Sequence, residues 1–379
     1  MRILLIPSSY PPVLGGLQTA VHSLAREFMA RGHDVLVVAN RYPRSLARNE
    51  TIDGVKVRRL AFIKPELDQI RRRRIDLFLA GCLLYPVTLF ALWRIFRKFR
   101  PDVVNVHFPL SQIPFVLRMQ RAFPFPLVVS LHGSEVLGLS NDRKRRLLRA
   151  ILRDADAVTA CSRYLLLKAA EVEPSVAKRG SAIHNGINPS RFADRTPFEH
   201  PRPYIFAFGR LTYSKGFDLL LRAFSKIANA RPEIDLIVGG AGEELAALEQ
   251  TAAALNLNDR AIFAGRLEPE QVVRYLNGCR FLVVPSRSET FGIIALEGLA
   301  AGKAVLATNA GGLPETLEAW PDGTLLVKPS VEGLFEGMNS WLESGAPRRA
   351  VRSSPGTIPT WSECAGQYLA TYQSCAITH

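Results

Sequence analysis

One pattern is written twice along the chain. A short continuous run of Val, Ile and Leu is followed by a helical stretch, then by another such run. Apolar runs without alternation suit strands covered on both faces. Strand and helix in alternation build βαβ units around parallel sheets. In the first half, strands are expected at Arg2–Pro7, Asp34–Ala39, Val55–Leu60, Asp102–His107, Leu127–Leu131, Ala157–Ala160 and Ser181–His184. Helices are expected there at Thr19–Arg31, Asp142–Arg153 and Ser162–Glu173. In the second half, strands fall at Tyr204–Phe208, Asp235–Val238, Ala261–Phe263, Phe281–Val284 and Ala304–Ala307. Helices fall there at Phe217–Ala230, Glu243–Leu255, Pro269–Asn277 and Ile293–Ala301. The proline-rich, aperiodic segment Asn188–Pro203 reads as the linker. It divides the chain into a Rossmann-like domain at 1–190 and a second at 191–359, an ordinary size for each. A last helix, within 360–379, is a candidate to pack back on the first domain; the pattern alone does not choose between the two.

The 47 % hydrophobic and 22 % charged residues exclude a disordered or low-complexity chain. Five scattered cysteines, with no Cys-x-x-Cys, argue against a disulfide framework and a structural zinc site, and for a reducing compartment. Met1-Arg2 leads straight into a strand-like run too short for a signal peptide, so the cytoplasm is the expected location. Charge is unevenly placed. Residues 1–195 hold 32 Lys and Arg against 15 Asp and Glu, or +17, and the remainder carries −3. A basic first half suits an anionic partner: nucleic acid, membrane surface or acidic substrate.

Residues Leu77 to Trp93 carry no charge. Arg71-Arg72-Arg73-Arg74 precede them, and Arg94, Arg97, Lys98 and Arg100 follow. A span needs about 20 apolar residues, and basic flanks on both sides conflict with the positive-inside rule. The segment is read as a buried or interfacial helix, with Pro86 as a kink point. Its basic ends suit an anionic bilayer.

In open parallel sheets, ligands sit beyond the carboxyl ends of the strands, and the informative residues fall there. After the first strand comes a loop ending in Gly15-Gly16, then a helix. Such a turn admits a close ligand or only reverses the chain. In the second half, Gly209-Arg210 ends a strand and Lys215-Gly216 opens a helix, which suits a diphosphate clamp or a surface ion pair. Val238-Gly239-Gly240-Ala241-Gly242-Glu243 is another glycine-rich turn. Glu289 stands just before a helix, Thr290, Phe291 and Gly292 lie at its start, and Glu297 lies inside it. Helix N–H groups there would hold an anion, and the two carboxylates would accept hydrogen bonds from sugar and ribose hydroxyls. His107 and His132 close two strands of the first half, where an imidazole can donate to an anionic leaving group.

Taken together, these elements resemble the retaining glycosyltransferases of family GT4. The likeness runs from Gly15-Gly16 to the C-terminal helix. It is carried most by Glu289 and Glu297, spaced E-x7-E, with Gly311-Gly312-Leu313-Pro314-Glu315, Gly209-Arg210 and Lys215-Gly216. The resemblance implies a GT-B fold: two doubly wound parallel-sheet domains facing across a cleft. It implies a nucleoside-diphosphate sugar bound by the second domain and an acceptor held by the first. Arg210 and Lys215 would contact the diphosphate, with Gly16 approaching from the first domain. Thr290, Phe291, Gly292 and Ile293 would line the phosphates and sugar. Glu297 would hold the ribose, and Glu289 would bind donor-sugar hydroxyls without acting as a nucleophile. His132 matches the family's active-site histidine; Gly15 and His107 would sit on the acceptor side. No metal and no cofactor beyond the sugar nucleotide is implied.

Glu135 stands where the family often has Asp, and the loop at Gly242-Glu243 lacks a common proline. The apolar segment, with Arg71–Arg74 and residues 77–100, implies an anionic membrane surface and a lipid-linked or polysaccharide acceptor in cell-envelope synthesis. Two alternatives are an epimerase-like enzyme on the same fold and a basic membrane- or nucleic-acid-binding protein without catalysis. No nucleic-acid recognition pattern is present, so no such partner is expected.

Overall fold

The computed structural model describes residues 1–13, 15–65, 73–346 and 358–377. The chain forms two compact units, Met1–Asn185 with Trp361–His379, and Gly186–Thr360. The division falls five residues before the one placed at 190, because Gly186 and Ile187 already belong to the second unit, where Ile187 bridges to Thr360. The final helix belongs to the first unit.

The first unit is an eight-stranded sheet in the order β3-β4-β2-β1-β5-β6-β7-β8. Its strands are β1 (Arg2–Pro7), β2 (Asp34–Asn40), β3 (Asn49–Ile52), β4 (Val55–Leu60), β5 (Val103–His107), β6 (Leu127–Leu131), β7 (Ala157–Ala160) and β8 (Gly180–Ala182). All neighbours are parallel except β3, which runs antiparallel to β4. β3 lies outside the expected strands because its Asn-Glu-Thr-Ile is polar. The signal was the turn that follows: Asp53 and Gly54 both take positive φ, as a two-residue hairpin turn demands.

The main helices of this unit are α1 (Gly16–Ala30), α2 (Ile75–Phe99), α3 (Ile113–Gln120), α4 (Asp142–Asp154) and α5 (Arg163–Val172). Right-handed crossovers place α1, whose unit moves toward the β3 edge, on one face of the sheet. They place α2 to α5, whose units move toward the β8 edge, on the other. Accordingly α2 packs on α3, and α1 packs on the C-terminal helix, Trp361–Ile377. Ala20, Val21, Leu24, Ala25 and Phe28 bury the inner stripe of α1, and Tyr372 of the last helix lies 5.7 Å from Phe28, ring to ring. α3 lies outside the expected helices: Pro114 reads as a breaker in sequence but stands in the first turn, a favourable place for proline. α2 is longer than the uncharged run and continues through Pro86. Arg71, Arg72 and Leu14 lie outside the described residues.

The second unit is a six-stranded, all-parallel sheet in the order β11-β10-β9-β12-β13-β14. Its strands are β9 (Tyr204–Phe208), β10 (Asp235–Gly239), β11 (Ala261–Gly265), β12 (Leu282–Val284), β13 (Val305–Thr308) and β14 (Thr324–Val327). Its longer helices are α6 (Phe217–Ala230), α7 (Leu245–Ala254), α8 (Pro269–Gly278), α9 (Ile293–Ala300) and α10 (Val331–Ser344). The edge pair β14 and α10 extends this unit beyond the expected elements. Ser330 caps α10 by accepting the Gly333 N–H at 3.1 Å. The strand order reverses between β9 and β12, the place where doubly wound sheets open their ligand crevice.

Candidate active site

The loops after β9 and β12 are stitched together. The Arg287 guanidinium donates to both oxygens of Asp218 at 2.6 and 2.7 Å, to the Tyr213 carbonyl at 3.0 Å, and stacks 4.1 Å from the Tyr213 ring centre. The Ser214 carbonyl accepts the N–H groups of Arg287 and Ser288. Gly216 has φ of 67°, and a Cβ there would lie 2.1 Å from the Pro285 carbonyl oxygen, so only glycine lets the loops approach this closely.

This seam delivers Lys215 to Glu289. The ammonium and carboxylate meet at 2.5 Å, and the other carboxylate oxygen accepts the Thr290 N–H at 3.1 Å. Gly312 N–H donates to the Glu289 carbonyl at 2.9 Å, which ties the Gly311-Gly312 loop beneath it. Gly292 caps α9 in the left-handed region, and no side chain caps the helix and no acid stands in its first turn. Its first N–H groups therefore remain available to an anion. Glu297 lies one turn further along, on the face of Ile293. It is 15 % exposed and pairs with Arg191 at 3.3 Å. Burial raises the pKa of this carboxyl, and Arg191 opposes the rise. Arg210 is exposed on the loop after β9, with no carboxylate partner among the described residues. Lys215, Glu289, Thr290, Phe291, Gly292, Ile293 and Glu297 are thus gathered around one helix start, with Arg210 on the loop that supplies Lys215.

In the first unit, β5 and β6 are neighbours, with His107 in register with Ser130. Two residues on, His132 meets His107, Nε2 to Nδ1, at 3.0 Å. Glu135 accepts the N–H of His132 and, at 3.0 Å, that of Gly133, so the carboxylate holds the histidine loop. Under the pair, Asn105 donates to the Tyr372 hydroxyl at 2.6 Å, and Ser130 bonds both Asn105 and Thr159. Gly15 and Gly16 open α1, which also starts without a side-chain cap. β1 pairs with β5 through Pro7 and His107, so the glycine loop follows the strand next to the histidine pair. The loop is held by Tyr10, which bonds His22 at 2.8 Å, by the His22–Asp53 contact at 2.9 Å, and by Arg59, which donates to the Pro11 carbonyl.

Arg191, Arg287, Tyr372 and the tether from Glu135 went unassigned on sequence. Arg287 lies within the stretch already singled out, between Pro285 and Glu289. The Glu135 tether is local, reaching back three residues to His132, whereas Arg191 and Tyr372 act across long separations that no local pattern reveals.

Burial holds the His132 imidazole down at about 4, and burial with the neighbouring ring pushes His107 well below its ordinary value. Both are neutral at pH 7. Between pH 6.5 and 4 the unfolded chain binds more protons at His132 than the folded one, so stability falls as pH drops through that window. Glu135, raised by burial, acts with the opposite sign near its ordinary range. Urea unfolding at pH 7 and pH 5 should show a loss of about 2 kcal/mol from His132 alone. His132→Gln should reduce the difference by about that amount and leave the part due to His107, and an unchanged slope would remove the assignment.

Residues 14–191 match the family described as Glycosyltransferase Family 4, and residues 190–354 match Glycosyl transferases group 1. The chain is 28 % identical over 375 residues to a glycogen synthase of Mycobacterium tuberculosis, covering 92 % of this chain and 88 % of that one. It is 27 % identical over 370 residues to a GDP-mannose-dependent alpha-(1-6)-phosphatidylinositol monomannoside mannosyltransferase of Mycolicibacterium smegmatis, covering 92 % and 91 %. In structure it resembles the sucrose-phosphate synthase of Thermosynechococcus elongatus, with a TM-score of 0.78, 21 % identity and full coverage of both chains.

Proposed function

The chain belongs to glycosyltransferase family 4 with the GT-B fold, and from that premise we propose a retaining, metal-independent hexosyltransferase that uses a nucleoside-diphosphate sugar. The observation that carries this reading is the convergence of Lys215, Glu289 and the uncapped start of α9, with Glu297 one turn on. Cleaving the anomeric C–O bond leaves negative charge on the diphosphate and positive charge on the sugar. Arg210, Lys215 and the α9 N–H groups stabilise the former, with Lys215 and the helix start already in place before reaction. Glu289 accepts hydrogen bonds from sugar hydroxyls, and Glu297 accepts them from the ribose. The acceptor hydroxyl attacks the face the leaving group departs from, and a diphosphate oxygen takes its proton. The first unit contributes the acceptor side, to which we assign neutral His132 with Gly15, Gly16 and His107.

The acceptor named for the Mycolicibacterium smegmatis mannosyltransferase is a phosphatidylinositol monomannoside, a glycosylated phospholipid. That relative and the basic first unit support a lipid-linked acceptor in cell-envelope synthesis. The glycogen synthase supports a polysaccharide as the alternative. We place the enzyme in the cytoplasm, peripheral to the membrane.

A thermal-shift screen against UDP, GDP, ADP and their sugars, without metal, tests the donor site. A ligand at 100 times its dissociation constant adds about 2.7 kcal/mol. One nucleotide class should raise Tm, and Glu297→Ala should abolish most of that rise. No shift with any nucleotide would overturn the reading.

A further inference from the structure

The solvent side of α2 is apolar where a helix on a sheet ordinarily carries charge. Ile75, Leu79, Leu83, Val87 and Phe90 are 55 to 71 % exposed. Along the same side the next exposed positions are Arg94, Arg97 and Lys98. Among the described residues no carboxylate pairs with these three or with Arg100. Asp76, the acid on this side, is occupied by Arg74.

We propose that α2 docks in the plane of an anionic phospholipid bilayer, its apolar stripe among the acyl chains and its basic end on the headgroups. This deepens the peripheral placement given above and rests on it. The topology excludes a span: α2 joins β4 to β5, and both strands belong to one sheet. A single crossing would put them on opposite sides of the membrane. The opposite side of α2 is also fixed to the unit. Leu92 and Phe96 are fully buried, Thr88 donates to the Ala61 carbonyl at 2.8 Å, and a methyl on Gly81 would lie 2.6 Å from the Pro65 nitrogen.

The charge pattern selects a lipid surface over a second copy of the chain. A heptad seam from Ile75 and Leu79 would run through Cys82 and Pro86, which make poor knobs. Pro86 has no N–H for the Cys82 carbonyl, and at headgroup depth that carbonyl keeps access to water. A stripe turning from apolar to cationic along one side matches the boundary between acyl chains and anionic headgroups. α4, on the same face of the sheet by crossover handedness, adds the exposed run Arg143-Lys144-Arg145-Arg146.

Of the five cysteines Cys82 alone is exposed, and it lies on this side of α2. An environment-sensitive fluorophore on Cys82 should shift to the blue and brighten with phosphatidylcholine vesicles containing phosphatidylglycerol. It should not respond to phosphatidylcholine alone. The labelled protein should sediment with the anionic vesicles and be released by salt. Arg94, Arg97 and Lys98 changed together to Gln should weaken partition about 100-fold, and Leu83→Gln with Val87→Gln at least about tenfold. Nucleotide-induced Tm shifts should stay unchanged in both variants, so a failure of docking is distinguishable from a failure of the transferase reading. No fluorescence response, vesicle binding that ignores lipid charge, or self-association that silences the probe would each overturn the proposal.

Discussion

Glu289→Ala should lower kcat by about 10²- to 10³-fold while leaving nucleotide affinity equal or improved. The direction of the second effect follows from the geometry. In the free enzyme the Glu289 carboxylate neutralises Lys215 at 2.5 Å and accepts the Thr290 N–H at the start of α9. Removing it frees two features that attract a diphosphate and removes one negative charge that repels it. What is lost is an oriented acceptor for sugar hydroxyls as charge develops on the sugar, and a single group of this kind is worth that factor in kcat. The fold should survive, because the Lys215 side chain is 27 % exposed and water can solvate it. Glu289→Gln separates charge from shape: it keeps an oxygen for the Thr290 N–H and should retain more activity than Ala. Steady-state kcat and KM, with nucleotide affinity by titration, decide the matter. Near-normal turnover, or a rise in KM at constant kcat, would remove Glu289 from the sugar site.

The sequence was most legible where one local force dominates. Leu127–Leu131, Ala157–Ala160, Tyr204–Phe208 and Phe217–Ala230 fall on their expected bounds. Each is a dense apolar or amphipathic run with sharp polar or proline borders. β3 escaped because an edge strand is polar and makes contact on one side only. The site was legible to the extent that its groups lie in loops after strands, which the alternation itself locates. Arg191 and Glu297 are 106 residues apart, and Arg287 and Asp218 are 69 apart. Those pairings follow from the order of strands in the sheet, which no periodicity encodes. The hydroxyl of Tyr372 reaches Asn105 across 267 residues for the same reason: the last helix returns to the first unit. The exposed side of α2 shows the reverse case. Its sequence leaves a buried and an interfacial helix both open, and only the fold shows that most of it faces outward.

Gly311→Ala should abolish transfer and destabilise the second unit, although residue 311 carries no chemistry. Gly311 has φ of 62°, where an L side chain costs about 1–2 kcal/mol. A Cβ there would also lie 1.9 Å from the carbonyl oxygen of Glu289 and 3.0 Å from its carbonyl carbon. Backbone cannot swing aside as a side chain can, and overpacking of this kind adds about 1–3 kcal/mol. The displacement falls on Glu289 itself, whose carbonyl is also the acceptor of Gly312. Moving it would pull the carboxylate away from Lys215 and the start of α9. The control is Gly265→Ala. Gly265 has φ of 66° but nothing within 4 Å of its Cβ, so it isolates the backbone strain. Gly265→Ala should lower Tm modestly and leave turnover intact. Gly311→Ala should lower Tm further and remove activity even at temperatures where it remains folded by circular dichroism. Equal activity in the two variants would show that the glycine loop under Glu289 does not set the geometry of the site.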